Sequence, residues 1–191
     1  MSIPYYGMNK DGNVLDNVVN NDGFKDITVV TAGDASHTLS ASDGGIVLIS
    51  AALASGAVIK LPECTADTVG LEFNIIFAAT MAAASKIQLP DAGVGVFAGV
   101  IIQERCGTAG AGVAEHATAV RMLSVPTTVA QGEKSLELDE NDETFGGAIG
   151  TNLKFKYVSP SVVLVSGTSY VNVATTALDA VQATTFTGTG Y

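Results

Sequence analysis

Few residues of this 191-residue chain belong to the types that do chemistry: two histidines, His37 and His116, and two cysteines, Cys64 and Cys106. Nucleophilic catalysis needs a Ser or Cys held against a base, and neither histidine lies in a GxSxG, HExxH or comparable setting. His37 stands just before the turn-like run Leu39-Ser40-Ala41-Ser42-Asp43-Gly44, and His116 lies in an Ala-rich stretch. Both are read as structural. The cysteines form no CxxC or Cys/His cluster, and a reducing compartment keeps such thiols unpaired and buried. No catalytic residue, metal ligand or cofactor follows from these residues, and the chain is expected not to be an enzyme.

Two further patterns are weighed against blander readings. The run Asp139-Glu140-Asn141-Asp142-Glu143 closes an acidic loop over 133–143 and carries enough carboxylates to attract calcium. It lacks the Asp-x-Asp-x-Asp-Gly spacing that wraps an ion, so a solvated loop is favoured and a cation there stays an open alternative. The glycines of Gly93-Val94-Gly95 and Gly107-Thr108-Ala109-Gly110 are not followed by Lys-Ser/Thr, so turns explain them better than a phosphate cradle. With no Trp and few Tyr or Phe, the usual stacking platform for a sugar is also missing.

Composition narrows the partners. A net charge of −10 with nine scattered basic residues gives nucleic acid no phosphate-binding surface. No stretch offers about 20 consecutive apolar residues for a membrane helix. The N-terminus has no basic region followed by an apolar core, so the expectation is a protein made and matured in cytoplasm. Yet 47% of the residues are hydrophobic and only 15% charged, a balance that suits apolar surface covered by partners in an oligomer.

The elements that must position these residues are short runs rich in Val, Ile, Phe and Thr, punctuated by Gly, Pro, Asn and Asp. Strands are predicted at 27–31, 46–50, 57–61, 71–78, 86–89, 94–102, 120–125, 134–138, 152–158, 162–166 and 170–174. In 152–158 the apolar Leu153, Phe155 and Tyr157 alternate with Asn152, Lys154 and Lys156, the signature of a strand with one wet face. Ala-rich 80–85 and 113–122 predict short helices. The fold class is therefore all-β, an antiparallel β-sandwich or β-barrel-like domain over 27–191 with one or two short helices and a Thr/Ala/Gly-rich C-terminal tail from about 175. Residues 1–26 show no lasting periodicity and are read as an extended N-terminal arm. In it Asp11-Gly12 and Asp22-Gly23 have turn chemistry, and Val14, Leu15, Val18 and Val19 could dock on a partner.

One stretch resembles a known family. Thr38-Leu39-Ser40-Ala41-Ser42-Asp43-Gly44-Gly45-Ile46-Val47, then Ile59-Lys60-Leu61-Pro62, then Val69-Gly70-Leu71-Glu72-Phe73-Asn74-Ile75-Ile76-Phe77 is similar to a module of tailed-bacteriophage capsid decoration (head auxiliary or cement) proteins. Physically, the Asp-Gly pair turns the chain, Leu-Pro closes a strand, and the Gly-to-Phe strand enters the core. The match covers about a third of the chain. Val163 or Leu164 stands where such proteins carry an aromatic residue, and the acidic stretch is an insertion.

The resemblance implies a virion structural protein, a homotrimer on the outer capsid surface that bridges copies of the major capsid protein and cements the shell. Ile3, Pro4, Tyr5, Tyr6, Val14, Leu15, Val18 and Val19 would then be the capsid-binding arm residues, the tyrosines serving as anchors. A tail or fibre-associated adhesin presenting loops to a host surface glycan is the alternative. A hydrolase relying on His37 or His116 is the third reading.

Overall fold

In 152–159 the period-two pattern sorts core from water: Leu153, Phe155 and Tyr157 are fully buried while Asn152, Lys154, Lys156 and Val158 are exposed. The same alternation sorts 72–77, where Phe73, Ile75 and Phe77 are buried and the residues between them half-buried; this computed structural model describes residues 27–31, 36–79, 81, 85–107, 116–123, 133–138, 146–173 and 186–187. The expected arm, the acidic run 139–143 and most of the C-terminal tail lie outside the described residues.

Twelve strands are described: β1 (Ile27–Val30), β2 (Ser36–Thr38), β3 (Gly45–Ile49), β4 (Val58–Lys60), β5 (Glu72–Phe77), β6 (Ser85–Gln88), β7 (Val96–Gly107), β8 (His116–Leu123), β9 (Ser135–Leu138), β10 (Asn152–Ser159), β11 (Val162–Val173) and β12 (Phe186–Thr187). The only described helical pieces are two single 3-10 turns, Ala41–Asp43 and Ala66–Thr68. The all-β reading is met.

The strands form a seven-stranded sheet in the order β1-β3-β5-β10-β11-β7-β8 and a five-stranded sheet in the order β12-β9-β6-β4-β2. From β1 to β6 the chain alternates between the two sheets, and each strand lies parallel beside the one two elements earlier. Residues 27–88 thus wind through three superposed turns, each contributing one strand to each sheet. After β6 the chain changes grammar: β9, β10 and β8 pair antiparallel with their neighbours, while β11 lies parallel to β7 over twelve residues.

Two expectations need correcting. The sheets are mixed, not antiparallel throughout, because alternation fixes which face a side chain takes and is blind to the direction of the neighbouring strand. Residues 116–122 are not helical: they lie in β8, in register with β7 from Cys106↔His116 to Gly99↔Leu123. The ladder hydrogen bonds along β7 outweigh the modest helix preference of alanine. Of the other expected helix, 80–85, Ser85 opens β6 and Met81 is buried.

The buried side chains of both sheets make one cluster. Val47, Ile49, Phe73, Ile75, Phe77, Phe97, Leu153, Phe155, Tyr157, Val163 and Val165 come from the larger sheet, and Ile59, Ile87, Leu136 and Leu138 from the smaller. Tyr157 meets the edge of Phe73 with ring centroids 6.2 Å apart and donates its hydroxyl hydrogen to Pro62 O at 2.8 Å, so the one polar atom of this large side chain is satisfied. Between the sheets' far ends, the buried Lys134 donates its ammonium hydrogens to the carbonyls of Asp91 (2.6 Å) and Gly93 (2.7 Å), tying the loop before β7 to the start of β9.

Candidate functional site

Residues with chemical potential are scattered by this topology. His37 lies half-buried in the middle of β2, paired with Ile59, at the outer edge of the smaller sheet. His116 begins β8 in the other sheet, in register with Cys106. Among the described residues no three His, Cys, Asp or Glu side chains group so as to hold a metal ion, and no helix is long and apolar enough to cross a membrane. The acidic run 139–143 lies outside the described residues.

Cys64 follows Pro62 and Glu63 into the core and is only 3% exposed. Burial, helped by the neighbouring Glu63 carboxylate, pushes its thiol up to about 11. Because the thiolate is the reactive form, Cys64 is expected to resist a thiol-alkylating reagent at neutral pH in the native protein and to react readily once denatured. Peptide mapping by mass spectrometry separates it from Cys106, and alkylation of native Cys64 at the denatured rate would contradict this burial.

Asp43 does local structural work. Its carboxylate accepts the Ser40 hydroxyl at 2.6 Å and the Ser40 backbone amide at 2.7 Å, closing a capping box before Gly44 leads into β3. These bonds, the side-chain one foremost, hold its carboxyl below the usual range. A group depressed in the folded state stabilises above its unfolded pKa and loses that contribution as pH falls through the folded value. Glu133 has the opposite sign: burial raises it, so its contribution is complete at low pH and is lost as pH rises. An Asp43→Asn variant should therefore be less stable than the parent near neutrality, with the gap narrowing on acidification. Denaturant midpoints across the acid range check this, and a gap independent of pH would refute it.

The feature that most invites a partner is the outward face of the seven-stranded sheet. Its cross-strand rows can be read from the register. One row runs Ile27–Ile46–Asn74–Lys154–Ser166–Val100, and the next runs Val29–Leu48–Ile76–Asn152–Thr168–Ile102. Both rows are apolar at the ends and polar in the middle. Ile27 and Val29 are 52% and 50% exposed at one end and Val100 and Ile102 both 40% at the other, while Leu164, beside Lys156 on the same face, is 42% exposed. The polar middle holds a shallow depression of about 370 Å³ lined by Glu72, Asn74, Asn152, Lys154, Ser166, Gly167 and Thr168. Across it Lys154 Nζ lies 2.8 Å from Glu72 Oε1, a half-exposed pair worth little to stability.

Sequence reasoning placed these strands but not this face. Within the run Val96-Phe97-Ala98-Gly99-Val100-Ile101-Ile102, apolar residues stand on both sides, so periodicity alone cannot say that Val100 and Ile102 face outward while Ile101 is buried. The expected arm residues Ile3, Pro4, Tyr5, Tyr6, Val14, Leu15, Val18 and Val19 lie outside the described residues. The chain matches no protein-family model, no curated protein and no solved structure.

Proposed function

We propose that this chain is a virion structural protein that binds the outside of an assembled phage capsid, bridges copies of the major capsid protein and cements the shell as a homotrimer. The observation that carries the reading is the outward sheet face, where five aliphatic side chains at 40–52% exposure flank a polar centre on a rigid β scaffold. A face of that kind suits a protein partner rather than a reaction. The family resemblance supplies the identity of that partner. Its elements behave as their physics requires: Asp43-Gly44 turns the chain, Leu61 is buried just after β4 ends, and Phe73, Ile75 and Phe77 enter the core.

A ligand that binds only the assembled shell stabilises it by mass action, and three linked copies multiply weak contacts through effective concentration. Neither needs a catalytic group. The test is light scattering for mass, followed by co-sedimentation of the full chain with bare phage capsids, comparing the parent with Val100→Asp/Ile102→Asp. A trimer that pellets with capsids, with affinity falling roughly tenfold or more in the variant, supports the reading. A monomer that ignores capsids sinks it.

A second reading, a tail or fibre-associated adhesin for a host surface glycan, is favoured by the depression itself, whose amides, hydroxyls and ion pair offer donors and acceptors to a polyhydroxylated ligand. It predicts retention on glycan-coated surfaces that is lost in Asn74→Ala/Asn152→Ala, with no retention on capsids.

A further inference from the structure

β10 carries two lysines on its outward face, and the register sets one carboxylate beside them. Lys156 stands opposite Glu72 of β5, and Lys154 stands opposite Asn74. Across the other ladder of β10 their neighbours are uncharged, Leu164 and Ser166 of β11. Glu72 reaches diagonally, with Oε1 2.8 Å from Lys154 Nζ. Two cations thus share one anion, and the cation in excess is the exposed Lys156. On a chain of net charge −10 this is a local surplus of the opposite sign.

Aliphatic side chains stand around that surplus. Val158, two residues further along β10, and Leu164, across the ladder, are both exposed. An exposed strip continues from them onto β7, where Val100 lies beside Ser166 and Ile102 beside Thr168 in the parallel ladder. From the level of Val158 to that of Ile102 the strip runs roughly 20 Å along the strands, the length of about six extended residues. It crosses the neighbouring strands β10, β11 and β7.

We infer that this strip receives an extended, acidic segment of the major capsid protein, with its aliphatic side chains on Val158, Leu164, Val100 and Ile102 and a carboxylate on Lys156. This occupant presupposes the capsid reading and adds to it the chemistry that the partner must carry.

Charge selects the occupant. A wholly apolar segment would strip water from the Lys156 ammonium and give it no counter-ion, a cost that a carboxylate removes. A glycan brings hydroxyls where the strip offers methyl groups, and a net charge of −10 repels nucleic acid. The net negative charge of the rest of the chain disfavours wrong placements of an acidic segment, so the excess cation also fixes where the segment lies.

Light scattering gives the mass of the parent and of Lys156→Met, Lys156→Glu and Lys156→Arg, and co-sedimentation of each full chain with bare phage capsids gives the affinity. Lys156 is exposed, so the variants are expected to keep the parent's mass and unfolding midpoint. Capsid affinity is expected to fall roughly tenfold or more in Lys156→Met and Lys156→Glu and to stay within about threefold of the parent in Lys156→Arg. Binding by Lys156→Met or Lys156→Glu as tight as the parent's would overturn the acidic segment and leave the capsid reading in place. So would a loss in Lys156→Arg as large as in Lys156→Met, which would assign the effect to side-chain shape instead of charge. A variant of lower mass than the parent would make the occupant a second copy and overturn the inference as well. Failure of the parent itself to pellet with capsids would overturn both readings.

Discussion

Gly167→Ala is expected to lower the unfolding free energy by about 3 kcal/mol or more, a large effect for the addition of one methyl group. Gly167 lies inside β11 with φ +136, a conformation in which L side chains are strained, and a Cβ there would sit 2.1 Å from Asn152 O of β10. The obstacle is backbone of β10, where Asn152 is laddered to Ile76 of β5 on one side and Thr168 of β11 on the other, so it cannot swing aside as a side-chain tip would. Gly99 in β7 repeats the arrangement, with φ +132 and a built Cβ 2.0 Å from Val165 O. Gly56 is the control: its φ of +73 strains alanine, but nothing lies within 4 Å, so Gly56→Ala should cost only about 1 kcal/mol. Urea unfolding of the three variants checks the order, and equal losses at Gly56 and Gly167 would show that close packing of the ladder is not what requires glycine.

Gly167 also marks where the sequence stops being legible. Read alone, Gly167 after Val162-Val163-Leu164-Val165-Ser166 looks like punctuation, so β11 reads as two strands around a turn when it is one strand of twelve residues. The alternation in β10 and β5 is unambiguous because lysines, asparagines and a glutamate share the outward row, and the sides they indicate are the ones observed. β2 has no such contrast: Ser36-His37-Thr38 is three polar residues whose strand character comes from lying beside β4. The parallel winding of β1 to β6 is invisible for a different reason. Whether a strand's neighbour is parallel depends on the route of the connection, and nothing in the period-two pattern records it. The outward face is legible only in hindsight, since its apolar ends are made of the same residue types as the core.

Phe155→Ala is expected to remove about 3–5 kcal/mol, out of the roughly 5–15 kcal/mol that a domain of ordinary stability has to lose. Phe155 is fully buried midway along β10, opposite Phe73 of β5 and Val165 of β11, and its ring packs against Phe97 with centroids 5.6 Å apart and planes tilted by 55°. Its removal opens a void at the point where β5, the last strand that the winding residues 27–88 give to the larger sheet, is joined to the part built from β10, β11 and β7. The neighbours cannot close it, because the inward row Phe73–Phe155–Val165–Gly99 is fixed by ladders on both sides and Gly99 within it has no side chain to move. A double-mutant cycle with Phe97→Ala should show a coupling of about 0.5–1.5 kcal/mol. Tyr157→Phe, which keeps the ring and removes the hydrogen bond to Pro62 O, should cost about 1 kcal/mol. If Tyr157→Phe proved as costly as Phe155→Ala, the hydrogen bond to the Leu61-Pro62 corner, rather than the packed rings, would be what joins the two halves.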